Sequence, residues 1–190
     1  MGMPGPRVHW PRTLAARGRN TLQASHLRYR PALAHAGVLH CFVLDCSASM
    51  LRNDSLALAK GWLVSLFDQA AQQRAEAALI CFGGNRADLR FGPAVPRWWN
   101  ERWLAPLTGG GGTPFSLGMQ KAGELLARSA RLYPAQQRWL WVLTDGRSNE
   151  LPMRPGHADQ IRVVDFETGP LRLARCAVLA QAWSATLVMP

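Results

Sequence analysis

The chain has 190 residues, enough for one α/β domain with a buried core. Hydrophobic residues make up 48% and charged residues 18%, which argues against disorder, and no apolar run reaches the roughly 18 residues of a membrane-spanning helix. The net charge of +10 is unevenly placed: residues 1–36 hold six arginines and no acidic residue, a distribution suited to an anionic partner such as nucleic acid, an acidic protein face or a membrane surface.

In chain order, residues 1–36 form a basic N-terminal arm of mixed periodicity, with one helix expected near Thr13–Leu27 and the arm expected to pack on the domain that follows, residues 37–190. The first 20 residues lack the apolar stretch of a signal peptide, so a cytoplasmic location is expected. From Val38 to Leu44 a short apolar run ends at polar Asp45, the pattern of a buried parallel strand. Leu56–Ala70 carries apolar residues at helical spacing, with Leu56, Ala59, Leu63, Leu66, Phe67 and Ala70 on one side. Ala77–Phe82 is a second strand closed by Gly83 and Gly84, and Asp88–Phe91 a short edge strand. Pro114–Ala130 is a helix with proline at its start, where proline is tolerated. Arg138–Leu143 is a strand ending at Thr144-Asp145-Gly146. Ile161–Phe166 is a further strand, Leu171–Trp183 a helix and Thr186–Met189 a last strand. This alternation predicts a doubly wound, mainly parallel six-stranded sheet with helices on both faces. Sites in such sheets form beyond the carboxyl ends of the strands, where the strand order reverses.

Asp45 and Asp145 both stand at such ends. In Asp45-Cys46-Ser47-Ala48-Ser49, an acid closing a strand is followed by two serines at alternate positions, three oxygens around one point. Thr113, after the run Gly109–Gly112 that lets its loop approach closely, adds a hydroxyl, and Asp145 a second carboxylate. Five oxygen groups with no histidine or thiolate fit a hard divalent ion, Mg²⁺ or Mn²⁺. The competing reading makes Ser49 a helix cap and Asp45 a satisfied buried acid. Each fragment alone is weak. Their order along the chain is what carries the metal reading.

The pattern resembles the metal-ion-dependent adhesion site of von Willebrand factor A (vWA) domains. The resemblance implies that Ser47, Ser49 and Thr113 bind the metal by hydroxyl oxygen, while Asp45 and Asp145 act largely through bound water. Ala48 stands where glycine is more usual. HWPRTLAARG, LRYRPALAHAGVLHCFVLDCSASM, LAPLTGGGGTPFSLGMQKA, WVLTDGRSN and further segments resemble the C-terminal region of the magnesium-chelatase D subunit and related cobalt-chelatase components. The 190 residues contain neither the AAA+-like region nor the acidic, proline-rich linker of D subunits.

The resemblance implies a non-catalytic subunit of a tetrapyrrole metal chelatase, inactive alone. Its partners would be an AAA+ ATPase of the magnesium-chelatase I type and the large subunit that inserts Mg²⁺ or Co²⁺. No phosphate-binding loop occurs, since Gly109–Gly112 is followed by Thr-Pro without lysine, so no ATP binding is expected. Ser47 lacks a G-x-S-x-G setting and the histidines are scattered, which leaves no hydrolase. The alternatives are a vWA adaptor of another AAA+ ATPase and, ranked below it, a nucleic-acid module using the arm, which has no accompanying nucleic-acid motif. Arg28 and Arg30 are candidate contacts to an ATPase. Trp98 and Trp99, with Trp103, form either a partner surface or a short helix packed on the domain edge. Cys41, Cys46, Cys81 and Cys176 read as small buried hydrophobes.

Overall fold

The computed structural model describes residues 8, 10–28, 37–52, 54–97, 114–168 and 172–190. They fall in two compact units, one within Met1–His35 and one within Ala36–Pro190.

In the first unit, helix α1 spans Trp10–Arg17 and a single 3₁₀ turn spans Ala24–His26. The expected helix over Thr13–Leu27 is therefore corrected: it begins earlier and stops ten residues sooner. Gly18 ends it, taking a left-handed φ of 56° and donating its N–H to Leu14 O at 3.2 Å. The chain then returns along the helix. Thr13 Oγ1 accepts from Arg28 N at 2.9 Å and donates to Arg28 O at 3.2 Å, so one fully buried hydroxyl closes the unit.

The second unit is a six-stranded sheet in the order β3-β2-β1-β4-β5-β6. The strands are β1 (Val38–Asp45), β2 (Glu76–Gly83), β3 (Arg86–Ala94), β4 (Gln137–Thr144), β5 (Gln160–Asp165) and β6 (Thr186–Val188). All neighbours run parallel except β2 and β3, which form an antiparallel hairpin. The helices are α2 (Ala48–Arg52), α3 (Ser55–Gln72), α4 (Phe115–Leu132) and α5 (Arg175–Trp183). The predicted α/β architecture is thus observed.

Two-residue periodicity divides the core between the two faces of the sheet. Leu39, Cys41 and Val43 of β1 pack with Ile80, Leu140 and Val163 against Phe115, Met119 and Leu126 of α4 and Leu179 of α5. Phe42 and Leu44 point the other way, with Leu79, Leu143 and Val164, against Leu56, Leu63 and Phe67 of α3. The helical stripe over 56–70 is buried as its spacing predicts, except that Leu66 is only partly covered. All four cysteines are free and buried, and burial pushes the Cys41 thiol up to about 12.

Two further boundaries differ from expectation. The edge strand β3 extends beyond Asp88–Phe91 at both ends, because it hairpins directly from β2 with Gly83 opposite Arg86. The last helix begins at Arg175 rather than near Leu171, a residue outside the described set. Before it, the Glu167 carboxylate accepts from Leu173 N at 2.7 Å and Ala174 N at 3.1 Å, and Ala174 takes a left-handed φ of 51°. Those N–H groups are bound to a side chain instead of entering a helix. No helix among the described residues is long and apolar enough to cross a membrane.

The end of β2 meets the loop after β1 with no spare room. Cys46 N donates to Phe82 O at 2.8 Å, and a Cβ at Gly83 would stand 2.9 Å from Cys46 O. Gly83→Ala must therefore displace backbone that carries Ser47. It is expected to lower stability by about 1–2 kcal/mol in urea unfolding, the usual scale of overpacking.

Candidate metal centre

The sheet order reverses between β1 and β4, which start adjacent chains of strands running in opposite directions across the sheet. A crevice opens beyond the carboxyl ends of the strands at such a point. Asp45 is the last residue of β1, and Asp145 follows the last residue of β4. The topology therefore brings together two acids that lie 100 positions apart in sequence.

Asp45 is fully buried and held on both carboxylate oxygens. Oδ1 accepts from Ser47 N at 2.8 Å, and Oδ2 accepts from Thr144 Oγ1 at 2.7 Å. Thr144 Oγ1 in turn accepts from Gly146 N at 3.1 Å, which fixes its rotamer. Burial raises the Asp45 carboxyl to about 6; the hydrogen bonds from Thr144 and Ser47 oppose the rise, and the nearby charge of Asp145 adds to it. Asp145 is 2% exposed, and its Oδ1 accepts from Arg147 N at 3.1 Å. Its Oδ2 is buried with no hydrogen-bond partner among the described residues. A buried acceptor without a donor carries a desolvation cost, which a bound cation or water relieves.

The serines complete the arrangement. Ser47 is buried and Ser49 half-buried, and their hydroxyls lie 3.0 Å apart. Octahedral Mg²⁺ with oxygens at roughly 2.0–2.1 Å sets neighbouring ligands roughly 2.9 Å from each other, so this spacing suits two adjacent coordination positions. Ser47 O accepts from Leu51 N at 3.3 Å, so α2 starts from Ser47, and Ser49 lies inside its first turn rather than capping it. The donor set is thus two carboxylates and two hydroxyls. No group of three or more His, Cys, Asp or Glu stands at metal-holding spacing among the described residues, so a thiolate, imidazole or polycarboxylate centre is not what these residues build. Orphaned Asp145 Oδ2, the raised Asp45 carboxyl and the paired hydroxyls fit a hard divalent ion.

Of the residues singled out from sequence, Asp45, Ser47, Ser49 and Asp145 come together here. Thr113, Arg30, Trp98, Trp99 and Trp103 lie outside the described residues. Arg28 belongs to the N-terminal unit, where its guanidinium donates to Ser25 O at 2.8 Å and Leu27 O at 3.3 Å. Two positioning residues were missed. Thr144 orients Asp45, and the only signal for it is a hydroxyl directly before the second acid. Glu150 Oε2 accepts from Ser116 N at 2.8 Å, tying the loop after β4 to the first turn of α4, three residues beyond Thr113.

By fold and site, this is a doubly wound α/β domain with two acids and two serine hydroxyls at the strand ends of its switch point. No protein-family model matches the chain. It is 32% identical to an uncharacterized protein of Mycobacterium tuberculosis, over 95% of this chain and 32% of that one. It is 34% identical to the magnesium-chelatase 67 kDa subunit of Chlorobaculum parvum, over 60% of this chain and 18% of the subunit. With the magnesium-chelatase 60 kDa subunit of Cereibacter sphaeroides the identity is 38%, over 57% and 19%. The chain therefore spans about a third of the mycobacterial relative and about a fifth of the chelatase subunits. Among solved structures, proximal thread matrix protein 1 of the mussel byssus shares the fold, with a TM-score of 0.50 at 19% identity, over 81% of this chain and 42% of that one. These partial similarities support a chelatase-related origin.

Proposed function

We propose that the chain is a metal-ion-dependent vWA subunit of an ATP-dependent tetrapyrrole metal chelatase, not itself catalytic. It would act between an AAA+ ATPase of the magnesium-chelatase I type and the large chelatase subunit. The observation that carries this reading is the buried, unpartnered Oδ2 of Asp145, whose charge acts on Asp45, taken with the paired hydroxyls of Ser47 and Ser49. Partial identity to magnesium-chelatase subunits supports the choice of client.

Ser47 and Ser49 would hold Mg²⁺, with Thr113 added by resemblance and with Asp45 and Asp145 in the surrounding shell. Bound there, the ion supplies an electrophilic position that a partner carboxylate completes. The chain's own residues set the rest. Thr144 and the Ser47 amide keep the Asp45 carboxylate in one orientation. The Arg147 amide fixes one oxygen of Asp145 and leaves the other uncommitted. With the two acids in the surrounding shell, the direct ligands would be neutral hydroxyls, which would leave an open, electrophilic coordination position that favours an anionic partner group.

The test is capture of the ATPase and large subunit by the purified chain in Mg²⁺ and in EDTA. Binding is expected only with Mg²⁺, and Ser47→Ala or Asp145→Ala should weaken it about tenfold or more. The isolated chain should not hydrolyse ATP. Equal binding in EDTA, or ATP hydrolysis that survives repurification, rejects the proposal. The arm is assigned to the ATPase by its arginines, whose planar fork suits carboxylates. Arg28→Glu with Arg30→Glu should reduce ATPase capture several-fold while leaving Mg²⁺ binding intact; loss of a salt-sensitive DNA interaction instead would reassign the arm.

A further inference from the structure

Away from the candidate metal centre, the sheet face toward α3 holds a cavity of about 280 Å³ between β1, β4, β5 and α3. Its polar wall is built by the strand register. His40 lies opposite Trp139, and Trp141 opposite Arg162, so three neighbouring strands present four large side chains to one face. The Arg162 guanidinium carbon sits 4.7 Å from the ring centroids of both Trp139 and Trp141, and the two indoles are near-parallel with centroids 6.3 Å apart. Two aromatic faces thus hold the cation in place. Neither of the ion pairs found among the described residues involves it, and no carboxylate of those residues lies within 4.0 Å of its nitrogens. Nor does it make a hydrogen bond among the described residues.

The second donor is His40. Trp141 Nε1 donates to its Nδ1 at 3.2 Å, so the neutral ring carries its proton on Nε2. Burial, then the charge of Arg162, lowers the pKa of His40, keeping the ring neutral at pH 7. Gln69 of α3 and Gln73, the residue that follows α3, also line the cavity, and Phe42 and Leu66 add apolar lining. The cavity therefore combines a preorganised, uncompensated guanidinium and an imidazole N–H with flat apolar surface, and no acid among the described residues lines it.

We propose that this cavity is a binding site for a small carboxylate carried on a flat apolar body, the carboxylate on the Arg162 guanidinium and the body against Phe42, Leu66 and the indoles. The guanidinium fork matches a carboxylate with two parallel hydrogen bonds, which a neutral group of the same shape cannot reproduce. The volume admits a single aromatic ring with its acid, not a macrocycle. The same chemistry is offered by a free aromatic acid and by a peptide in which Glu follows Phe, and the test separates these sources.

Benzoate is titrated into the full chain labelled with ¹⁵N at its indoles, with benzamide as the neutral isostere and Ac-Ala-Phe-Glu-Ala-NH₂ as the peptide probe. Benzoate should shift the Trp139 and Trp141 indole resonances, assigned by Trp139→Phe and Trp141→Phe, and saturate within tens of millimolar. Benzamide should bind about tenfold or more weakly, and Arg162→Gln, which keeps the stem over the indoles, should lose benzoate by a similar factor. Arg162→Lys should fall between the two. Tighter binding of the peptide than of benzoate, with the same dependence on Arg162, assigns the carboxylate to a protein partner; binding of benzoate alone assigns a free acid. Equal binding of benzoate and benzamide overturns the proposal. So does an unchanged affinity in a folded Arg162→Gln chain, or the absence of a saturable shift.

Discussion

Millimolar Mg²⁺ is expected to raise the melting temperature of the wild-type chain and to leave Asp45→Ala and Asp145→Ala where they were. On the proposed reading, the metal-free site holds an unfavourable arrangement that the ion would relieve. Burial, with the nearby charge of Asp145, raises the cost of ionising Asp45, and one oxygen of Asp145 has no donor among the described residues. A ligand that binds only the folded state adds RT ln(1 + [L]/Kd), about 2.7 kcal/mol at a hundredfold excess over Kd. For a chain of this size each kcal/mol moves the transition by roughly 2–4 °C, so the shift should be about 5–10 °C. Zn²⁺ should do less than Mn²⁺ or Mg²⁺, because the described donors are oxygens. The measurement is thermal unfolding by circular dichroism in EDTA and in Mg²⁺, with NaCl at matched ionic strength as the control. An equal shift in Asp45→Ala rejects this location for the ion, and no shift in the wild type rejects the ion itself.

Much of this site was legible because it is made of strand ends. An apolar run that stops at an acid marks both the strand and the place where its last side chain meets the crevice. β1 and β4 could be read that way, and with them Asp45 and Asp145. The stripe of α3 was legible for a similar reason: Leu56, Ala59, Leu63 and Phe67 recur at the helical period, and that period alone decides which side is buried. What stayed hidden depends on pairing. Thr144 becomes a ligand to Asp45 only once β1 and β4 are neighbours, and nothing in Thr-Asp-Gly says which carboxylate its hydroxyl will find. The contact of Trp141 with His40 joins residues 101 positions apart. The stacking of Arg162 on both indoles likewise requires the β4–β5 register. The start of α5 was misplaced because Glu167, a side chain upstream, takes the N–H groups of Leu173 and Ala174. Local periodicity carries no trace of that competition.

Asp45→Asn is expected to abolish Mg²⁺ stabilisation and yet leave the metal-free chain at least as stable as the wild type at pH 7. The reason lies in the direction of the Asp45 shift. Its carboxyl is raised from an ordinary 3.8 to about 6 in the folded chain, chiefly by burial. The folded state therefore binds a proton in a range where the unfolded state has lost it. Stability follows the difference in bound protons between unfolded and folded chains, so here it falls as pH rises from about 4 to 6 and is flat above. About two pKa units correspond to about 3 kcal/mol as an upper scale. Asparagine carries no charge to bury. Its amide oxygen can still accept from Ser47 N, and its NH₂ can donate to Thr144 Oγ1, whose second lone pair is available beside the Gly146 contact. Urea unfolding in EDTA across pH 4–8 should show a decline with pH in the wild type that the asparagine variant lacks, so that the two curves meet near pH 4 and separate toward pH 7. Other carboxylates titrate in both chains, and the difference between them isolates Asp45. In Mg²⁺ the order should invert, with the wild type recovering the loss and the variant not responding. A wild type whose metal-free stability tracks the variant at every pH would show that Asp45 is an ordinary satisfied acid. The Thr144 and Ser47 hydrogen bonds would then be the whole of its role.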